Sequence, residues 1–245
     1  MAEFVNLRAQ KQYKVQREVN WRDFKSLYKF QEENVNWMAT YFLGENLERR
    51  GGALSSNHKM KVFLIELGIT QSTVSKIILF VMNKIVEKSH LWIKFRSTQP
   101  NINEAQQAWQ EKLQFPSAIG VIDCTHFQIL KPNQHGDEYI NRKRLATLNV
   151  QATCKSVEMF TSTDVSWPGS VHDARIWRNC DIRLTMQHIP GAVLLGDDGY
   201  GLERWLITPF RNPNNALERA YNRLLKKERV IIERCLGQLK RRFKF

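Results

Sequence analysis

Residues 118–123 read Ala-Ile-Gly-Val-Ile-Asp, a short apolar run that ends in an acidic residue. A continuous apolar run of this length is typical of a strand that is buried on both faces of a sheet. Residues 125–130 prolong the strand pattern beyond the acid. Functional groups collect at the carboxyl ends of strands in open α/β sheets, so Asp123 is a candidate functional residue.

Further strand and helix patterns follow this run along the chain. Residues 148–154 alternate between apolar and polar side chains, residues 159–167 form a third strand candidate, and residues 192–195 form a fourth. Residues 171–179 have the pattern of a short helix. From residue 217 onward, apolar residues recur at helical spacing. The predicted fold class is therefore α/β.

The first part of the chain has a different character. Residues 1–112 contain few Pro or Gly, and their apolar residues follow helical spacing, as in Val35, Met38 and Phe42. The period changes to that of strands shortly afterwards. We predict a helical N-terminal region over residues 1–112 and a sheet-containing domain over residues 113–245.

A turn and a capped helix are predicted near the end of the helical region. Gly68 provides the turn, and Thr70 or Ser72 would cap a helix that runs towards Lys88. This pattern, over about residues 65–88, fits a helix-turn-helix, and an ordinary capped helix fits it equally well. In the first case the following residues would face the DNA major groove: Gln71, Ser72, Thr73, Ser75 and Lys76.

The charge of the chain is strongly positive but unevenly distributed. The 245 residues include 37 Lys+Arg and 24 Asp+Glu, which gives a formal net charge of +13. Residues 117–216 are neutral, with 10 residues of each sign, whereas residues 217–245 hold 10 basic and 3 acidic residues. Such an excess is found in proteins that bind nucleic acid and also in proteins with a solvated basic surface, and it does not separate the two.

Membrane and secreted classes are not favoured by the sequence. The longest unbroken apolar run, residues 77–82, is far shorter than the roughly 20 residues of a membrane-spanning helix. The N-terminus lacks the apolar core and small-residue cleavage site of a secretion signal, so we expect an intracellular protein. The four cysteines are dispersed without a Cys-x-x-Cys pair, which predicts buried thiols: Cys124, Cys154, Cys180 and Cys235.

Several carboxylates stand where predicted strands end or helices begin. Asp123 and Asp197 each follow an apolar strand, Asp173 opens a short helix, and Glu233 lies on the tail helix. Carboxylates that meet at one edge of a sheet repel one another unless a cation lies between them. Oxygen-only ligands suit Mg²⁺ or Mn²⁺, so a divalent metal site is predicted, although a single Asp after a strand is more often a turn or helix cap.

Four motifs together resemble the DDE transposases of the PIF/Harbinger superfamily. The resemblance runs from about Phe115 to the last residue, and the order and spacing of the motifs match as well as their residues. Asp197 and Glu233 enclose 35 residues, an interval typical of that family. The motifs are Asp123-Cys124-Thr125-His126, Trp167-Pro168-Gly169-Ser170-Val171-His172-Asp173, Leu195-Gly196-Asp197-Asp198-Gly199-Tyr200 and Glu233-Arg234-Cys235-Leu236-Gly237-Gln238-Leu239-Lys240.

This resemblance implies an RNase H-like catalytic domain preceded by the small helical, helix-turn-helix-like region. Asp123, Asp197 and Glu233 correspond to the catalytic triad of the family, and Asp173 corresponds to a further metal ligand. The family carries these acids on the first strand, after the fourth strand and on a late helix. Whether Asp173 or Asp197 is the second acid is open, and the strand order and the 35-residue interval favour Asp197.

The resemblance also implies a function. Family members cleave DNA phosphodiester bonds with two divalent cations, Mg²⁺ or Mn²⁺. They often act in the nucleus with a Myb/SANT-like DNA-binding partner, and a homo-oligomer is a further expectation. Basic residues of the tail helix are expected to hold DNA phosphates: Lys226, Lys227, Arg229, Lys240, Arg241 and Arg242.

The chain departs from the family pattern in two places. The first helix of the DNA reader is shortened, and only eight residues follow Gly237, so we expect a truncated C-terminal region. The main alternative to a nuclease is therefore an inactive, transposase-derived protein that binds DNA or a partner. An RNase H-like enzyme acting on RNA or hybrids is a weaker alternative, because the motifs are those of transposases.

Four polar residues near the predicted site each fit two alternative roles. His126 and His172 could bind a phosphate or orient a carboxylate, but hydrogen bonding within the fold is the more common use of such residues. Asn149 and Gln151 project to one face of their strand and are expected near the site, with the same alternative.

Overall fold

The computed structural model describes residues 21–45, 54–64, 71–112 and 115–243. By its contacts the chain divides into two compact units, residues 1–88 and 89–245. The change from helical to strand periodicity near residue 113 lies inside the second unit. The helix over Gln99–Lys112 belongs to that unit because it packs against the first strand.

The first unit is helical over its described residues. Its buried core includes Phe24, Val35, Met60 and Val81, so that each helix contributes apolar side chains to one cluster. The turn predicted at Gly68 lies outside the described residues, and the helix-turn-helix stays a prediction. The helices are α1 (Trp21–Tyr28), α2 (Glu32–Leu43), α3 (Ser56–Leu64) and α4 (Gln71–Trp92).

Helix α4 presents two different faces at its start. Val74 and Ile77 are buried in the helical core. Three of the predicted groove-facing residues, Ser72, Thr73 and Ser75, are exposed, as is Lys76. Gln71 begins the helix. These polar residues are thus exposed on the surface of this unit.

The described part of the second unit is built around a five-stranded sheet of order β3-β2-β1-β4-β5. β2 runs antiparallel to both β1 and β3, whereas β4 runs parallel to β1 and to β5. The four predicted strands are confirmed, and the two-residue β5 is too short to give a period in the sequence. The strands are β1 (Ala118–Gln128), β2 (Thr147–Cys154), β3 (Phe160–Pro168), β4 (Val193–Leu195) and β5 (Leu206–Ile207).

Helices cover both faces of this sheet. Successive strand residues point to opposite faces, so Ile122 joins a core cluster with Trp177, while Val121 joins another with Ile232. The predicted short helix and tail helix are confirmed, whereas α7, which is also seven residues long, was not predicted. The helices are α5 (Gln99–Lys112), α6 (Asp173–Asn179), α7 (Asp181–Gln187) and α8 (Ala216–Phe243), with a short 3₁₀ helix at Gly136–Tyr139.

The start of α8 is fixed by a reciprocal capping arrangement. The backbone N–H of Glu218 donates to Asn215 Oδ1 at 2.9 Å, and the Glu218 carboxylate accepts from Asn215 Nδ2 and from the Asn214 N–H. This cap satisfies N–H groups that the first turn of a helix cannot satisfy internally. Within the described part of the chain, every helix is too short or too polar to span a bilayer.

Candidate active site

The register of two parallel strands brings the first two acidic positions together. Val121 of β1 is paired with Leu195 of β4. Asp123 and Asp197 each follow two residues later, so Asp123, which lies within β1, stands beside the end of β4, which Asp197 follows. Asp123 thus lies on the first strand and Asp197 follows the fourth strand, while their catalytic roles stay a prediction.

Asp173 and Asp197 border the same small space. Asp197 Oδ1 accepts a hydrogen bond from the Gly199 backbone N–H at 3.0 Å. A methyl group placed on Gly199 would lie 3.0 Å from Asp197 Oδ1 and 3.1 Å from Asp173 Oδ2. The absence of a side chain at Gly199 therefore leaves room between the two carboxylates.

A buried amide orients the Asp173 carboxylate. Asn149 is 1% exposed, and its Nδ2 donates to Asp173 Oδ1 at 3.0 Å and to the Val171 carbonyl at 2.9 Å. The two bonds tie β2 to the first turn of α6. The expectation that Asn149 lies near the site is confirmed.

Asp123 is mostly buried and pairs with an arginine of α8. Its Oδ2 lies 3.3 Å from Arg229 Nη2, and its Oδ1 accepts from the Cys124 N–H at 2.9 Å. Burial raises the pKa of Asp123 to about 6; Arg229 opposes this rise and Asp197 adds to it. Burial also raises the pKa of Asp197, again against Arg229 and with a contribution from Asp173. The three carboxylates thus share one electrostatic environment.

Glu233 is exposed on α8, one turn after Arg229. Residues 229, 233 and 240 fall on one face of a helix with 3.6 residues per turn. Two members of this face contact β1, because Arg229 pairs with Asp123 and Lys240 donates to Thr125 Oγ1 at 2.6 Å. Glu233 therefore lies on the α8 face that is turned towards β1.

Cys124 and Tyr200 form a polar pair on the face of β1 that points away from α8. Cys124 Sγ lies 3.1 Å from the Tyr200 hydroxyl, and that hydroxyl donates to Gln151 Oε1 at 3.5 Å. Tyr200 is 2% exposed, and burial raises its pKa well above the usual value. The sequence reasoning did not assign Tyr200 a role, although it stands three residues after Asp197. Of the four cysteines, all of which are free, only Cys124 is partly exposed.

A cavity of about 1060 Å³ joins the carboxylates to a basic wall. Asp173 and Asp197 line it together with Arg142, Lys143 and Lys240. The sequence reasoning missed the first two of these cations. The sequence feature that could have indicated them is the run of three consecutive basic residues Arg142-Lys143-Arg144.

Both histidines form hydrogen bonds within the fold. His126 Nδ1 lies 3.0 Å from Thr147 Oγ1, and His172 Nδ1 accepts from the Ala174 N–H at the start of α6. His126 and His172 also line the cavity, so these bonds orient two imidazole rings at its wall.

The basic residues predicted on α8 have different environments. Arg229 faces a carboxylate in this structure, whereas it was expected to face a phosphate. Lys240 is partly buried against β1. The other four predicted phosphate contacts are exposed along the helix: Lys226, Lys227, Arg241 and Arg242.

The side chains as they stand do not close around an ion. Among the described residues, no three His, Cys, Asp or Glu side chains form a group that could hold a metal. The donor chemistry nevertheless fits a hard divalent cation, because Asp123, Asp173 and Asp197 supply oxygen ligands whose mutual repulsion a cation would relieve.

Residues 122–245 match the family described as DDE superfamily endonuclease. This range includes the four acidic residues of the candidate site: Asp123, Asp173, Asp197 and Glu233. The chain belongs to the DDE superfamily endonucleases. Its membership agrees with the sheet order and with acids on β1, after β4 and on α8. The RNase H-like fold expected for a DDE endonuclease is therefore the fold class of the second unit.

Curated relatives assign the chain to the Harbinger-derived branch of the DDE endonucleases. It is 32% identical over 182 residues to the mouse protein named "Putative nuclease HARBI1", with 73% of this chain and 52% of the relative covered. The human protein of that name is 29% identical over the same coverage. The Arabidopsis thaliana "Protein ALP1-like" is 22% identical over 209 residues, with 78% and 51% covered. The chain spans about half the length of these relatives, and no solved structure is a significant match.

Replacing Asn149 with alanine is expected to weaken divalent-cation binding by about 10- to 100-fold, as loss of a ligand-orienting partner typically does. The change frees Asp173 Oδ1 and leaves the Val171 carbonyl without its donor. Titration calorimetry with Mn²⁺ measures the affinity without requiring turnover. Asn222→Ala is the matched control, because the Asn222 side chain bonds the backbone of Phe210 on both sides and should leave the Mn²⁺ affinity unchanged. Equal affinities for the Asn149 variant and the unaltered protein would contradict this role.

Proposed function

We propose that this DDE endonuclease is a divalent-metal-dependent nuclease that cleaves phosphodiester bonds in DNA. The observation that carries the proposal is the register of β1 and β4, which brings Asp123 within β1 next to Asp197 after β4, beside Asp173. Carboxylates from three separate segments meeting in this way have a high electrostatic cost without a cation. Such a cost is typical of a functional site rather than of a structural core.

The acids would hold Mg²⁺ or Mn²⁺ through Asp123, Asp173, Asp197 and Glu233. Two such cations supply activation of a water molecule and stabilisation of the leaving oxygen in an in-line displacement at phosphorus. In the protein itself, Asn149 fixes the direction of Asp173, and the Gly199 N–H fixes that of Asp197. Arg229 favours the ionised form of Asp123, which is the form that binds a cation.

The wider proposals rest on the family and on the charge of α8. Exposed cations such as Lys226 and Arg241 suit the backbone of a DNA substrate. Strand transfer by a freed 3′-OH would use the same acids. A Myb/SANT-like partner, a homo-oligomer and action in the nucleus are further proposals drawn from the resemblance to the PIF/Harbinger superfamily.

Nicking of supercoiled plasmid by the purified protein tests the nuclease proposal. We expect nicking with Mn²⁺ or Mg²⁺, none with EDTA, and loss of nicking in Glu233→Gln, which keeps the shape of Glu233 but removes its charge. Circular dichroism should show the same fold for both proteins, because Glu233 is exposed. Nicking that persists in EDTA or in Glu233→Gln would indicate a contaminating activity. No nicking by the folded protein would favour the alternative of a transposase-derived DNA-binding or partner-binding protein.

A further inference from the structure

The connection between β1 and β2 ends in a tight, well-bonded turn. Asn141 Oδ1 accepts from the backbone N–H groups of Lys143 at 2.9 Å and of Leu145 at 3.2 Å. The Asn141 N–H donates to the Leu145 carbonyl at 2.9 Å, and the Arg144 N–H donates to the Asn141 carbonyl at 2.9 Å. Residues 141–145 therefore form a rigid turn, which we call the basic turn.

Two of the three cations of the basic turn line the cavity that also contains Asp173 and Asp197. Arg142 and Lys143 line that cavity, whereas Arg144, in the left-handed conformation with φ 61°, does not. All three side chains are exposed. The turn therefore divides three consecutive cations into two that face the site and one that does not.

Lys240 of α8 completes this basic wall from the other side. Its Nζ donates to Thr125 Oγ1 at 2.6 Å and to the His126 carbonyl at 2.8 Å, and lies 5.1 Å from the centre of the Phe127 ring. Burial lowers the pKa of Lys240, and Lys143 lowers it further. The pKa of His126 is lowered by burial and by Lys240, Lys143 and Arg142, against the influence of Asp173. The cations are thus close enough to act on one another.

The positive charges of this basic wall are not paired with carboxylates in the described part of the chain. Within the described ranges, neither Arg142 nor Lys143 forms an ion pair with a carboxylate, and the Lys240 ammonium donates to two neutral oxygens. Like charges held together beside a cavity are destabilising on their own and are stabilised by a polyanion. Asp173 and Asp197 line the same cavity, where they would repel that anion unless cations lay between.

We infer that Arg142 and Lys143, together with Lys240, bind consecutive backbone phosphates of the DNA strand that lies across the carboxylates. This inference rests on the proposed DNA substrate and deepens it. The Arg142 guanidinium suits bidentate contact with non-bridging phosphate oxygens, and Lys143 acts as a point charge. Asn141 is a positioning residue, because its side chain fixes the turn that presents both cations.

The salt dependence of DNA binding tests this inference directly. Fluorescence anisotropy with a labelled duplex of about 30 base pairs in EDTA gives the affinity at a series of salt concentrations. Each of Arg142→Gln and Lys143→Gln should reduce the slope of log affinity against log salt by about 0.9, the value for one lost phosphate contact. If a variant and the unaltered protein bind equally at 1 M salt, this change in slope makes the variant's affinity about eight-fold lower at 0.1 M salt.

Arg144→Gln is the matched control, because it removes the same charge from the same turn at a position that does not line the cavity. It should leave the slope essentially unchanged. An equal reduction in all three variants would overturn the inference in favour of general surface charge, and no reduction in Arg142→Gln and Lys143→Gln would overturn it outright. Thermal unfolding midpoints should agree among the three variants, since all three side chains are exposed.

Binding in EDTA separates this inference from the nuclease proposal. If the plasmid is not nicked but the two variants bind DNA with reduced slopes, the phosphate contact stands and the nuclease proposal fails. If the plasmid is nicked and the slopes do not change, the nuclease proposal stands and the contact fails.

Discussion

Asp197→Asn is expected to reduce metal-dependent DNA nicking by on the order of 10³-fold or more, because it would remove a charged ligand of the proposed metal site. Asparagine keeps the size of the side chain and an oxygen that can accept from the Gly199 N–H. The local turn should therefore survive while the charge is lost. DNA binding in EDTA should be retained or slightly stronger, because one negative charge leaves the cavity.

The neighbouring acid provides the control for this experiment. Asp198 also borders the cavity, but its side chain is exposed, and its backbone carbonyl accepts from Arg211 Nη2 at 2.9 Å. Asp198→Asn removes the same charge one residue away and should keep most of the nicking activity. Equal losses in both variants would mean that net charge, and not a ligand at position 197, governs nicking. An unchanged rate in Asp197→Asn would remove this residue from the site.

Gly169→Ala is expected to destabilise the protein by about 3 kcal/mol or more, the upper part of the range for overpacking a closed site. A Cβ at this position would lie 2.1 Å from Thr147 Oγ1, 2.6 Å from the Tyr139 carbonyl oxygen and 2.7 Å from the Thr147 carbonyl oxygen. Two of these atoms belong to the backbone and cannot turn away. The shift needed to relieve the contacts would also move the segment that leads into Asp173.

Urea unfolding followed by circular dichroism measures this loss, and Gly201→Ala is the matched control. A Cβ on Gly201 has no atom within 4 Å, so its free energy of unfolding should change by less than about 1 kcal/mol. If the two alanine variants unfold at the same urea concentration, the close approach at Gly169 is not a constraint on the folded protein.

Much of the second unit could be predicted because its signals are local. The buried run before Asp123, the alternation at residues 148–154 and the helical stripe of the tail each correspond to one element of the structure. The pairing of Asp123 with Asp197 required a further step, since it depends on parallel strands in register. The tendency of functional groups to lie at the carboxyl ends of strands predicted that step, and the resemblance to a family supported it.

The parts that escaped prediction depend on side-chain contacts between distant segments. Arg229 was expected to bind phosphate, and only the packing of α8 on β1 shows its approach to Asp123. The cavity-facing direction of Arg142 and Lys143 follows from the Asn141 bonds in the turn, which a sequence reading cannot separate from a solvated loop. The two-residue β5 has too few residues to give any period.

One face of α8 sets a limit on how this protein can change its length over evolution. Arg229 and Lys240 touch β1 at two points of a single unbroken helix, with Glu233 between them. Inserting or deleting one residue between those points would rotate everything beyond it by about 100°, so the two contacts could not coexist. Length variation among descendants of this chain is therefore expected in its loops, while the segment from 229 to 240 keeps a constant residue count.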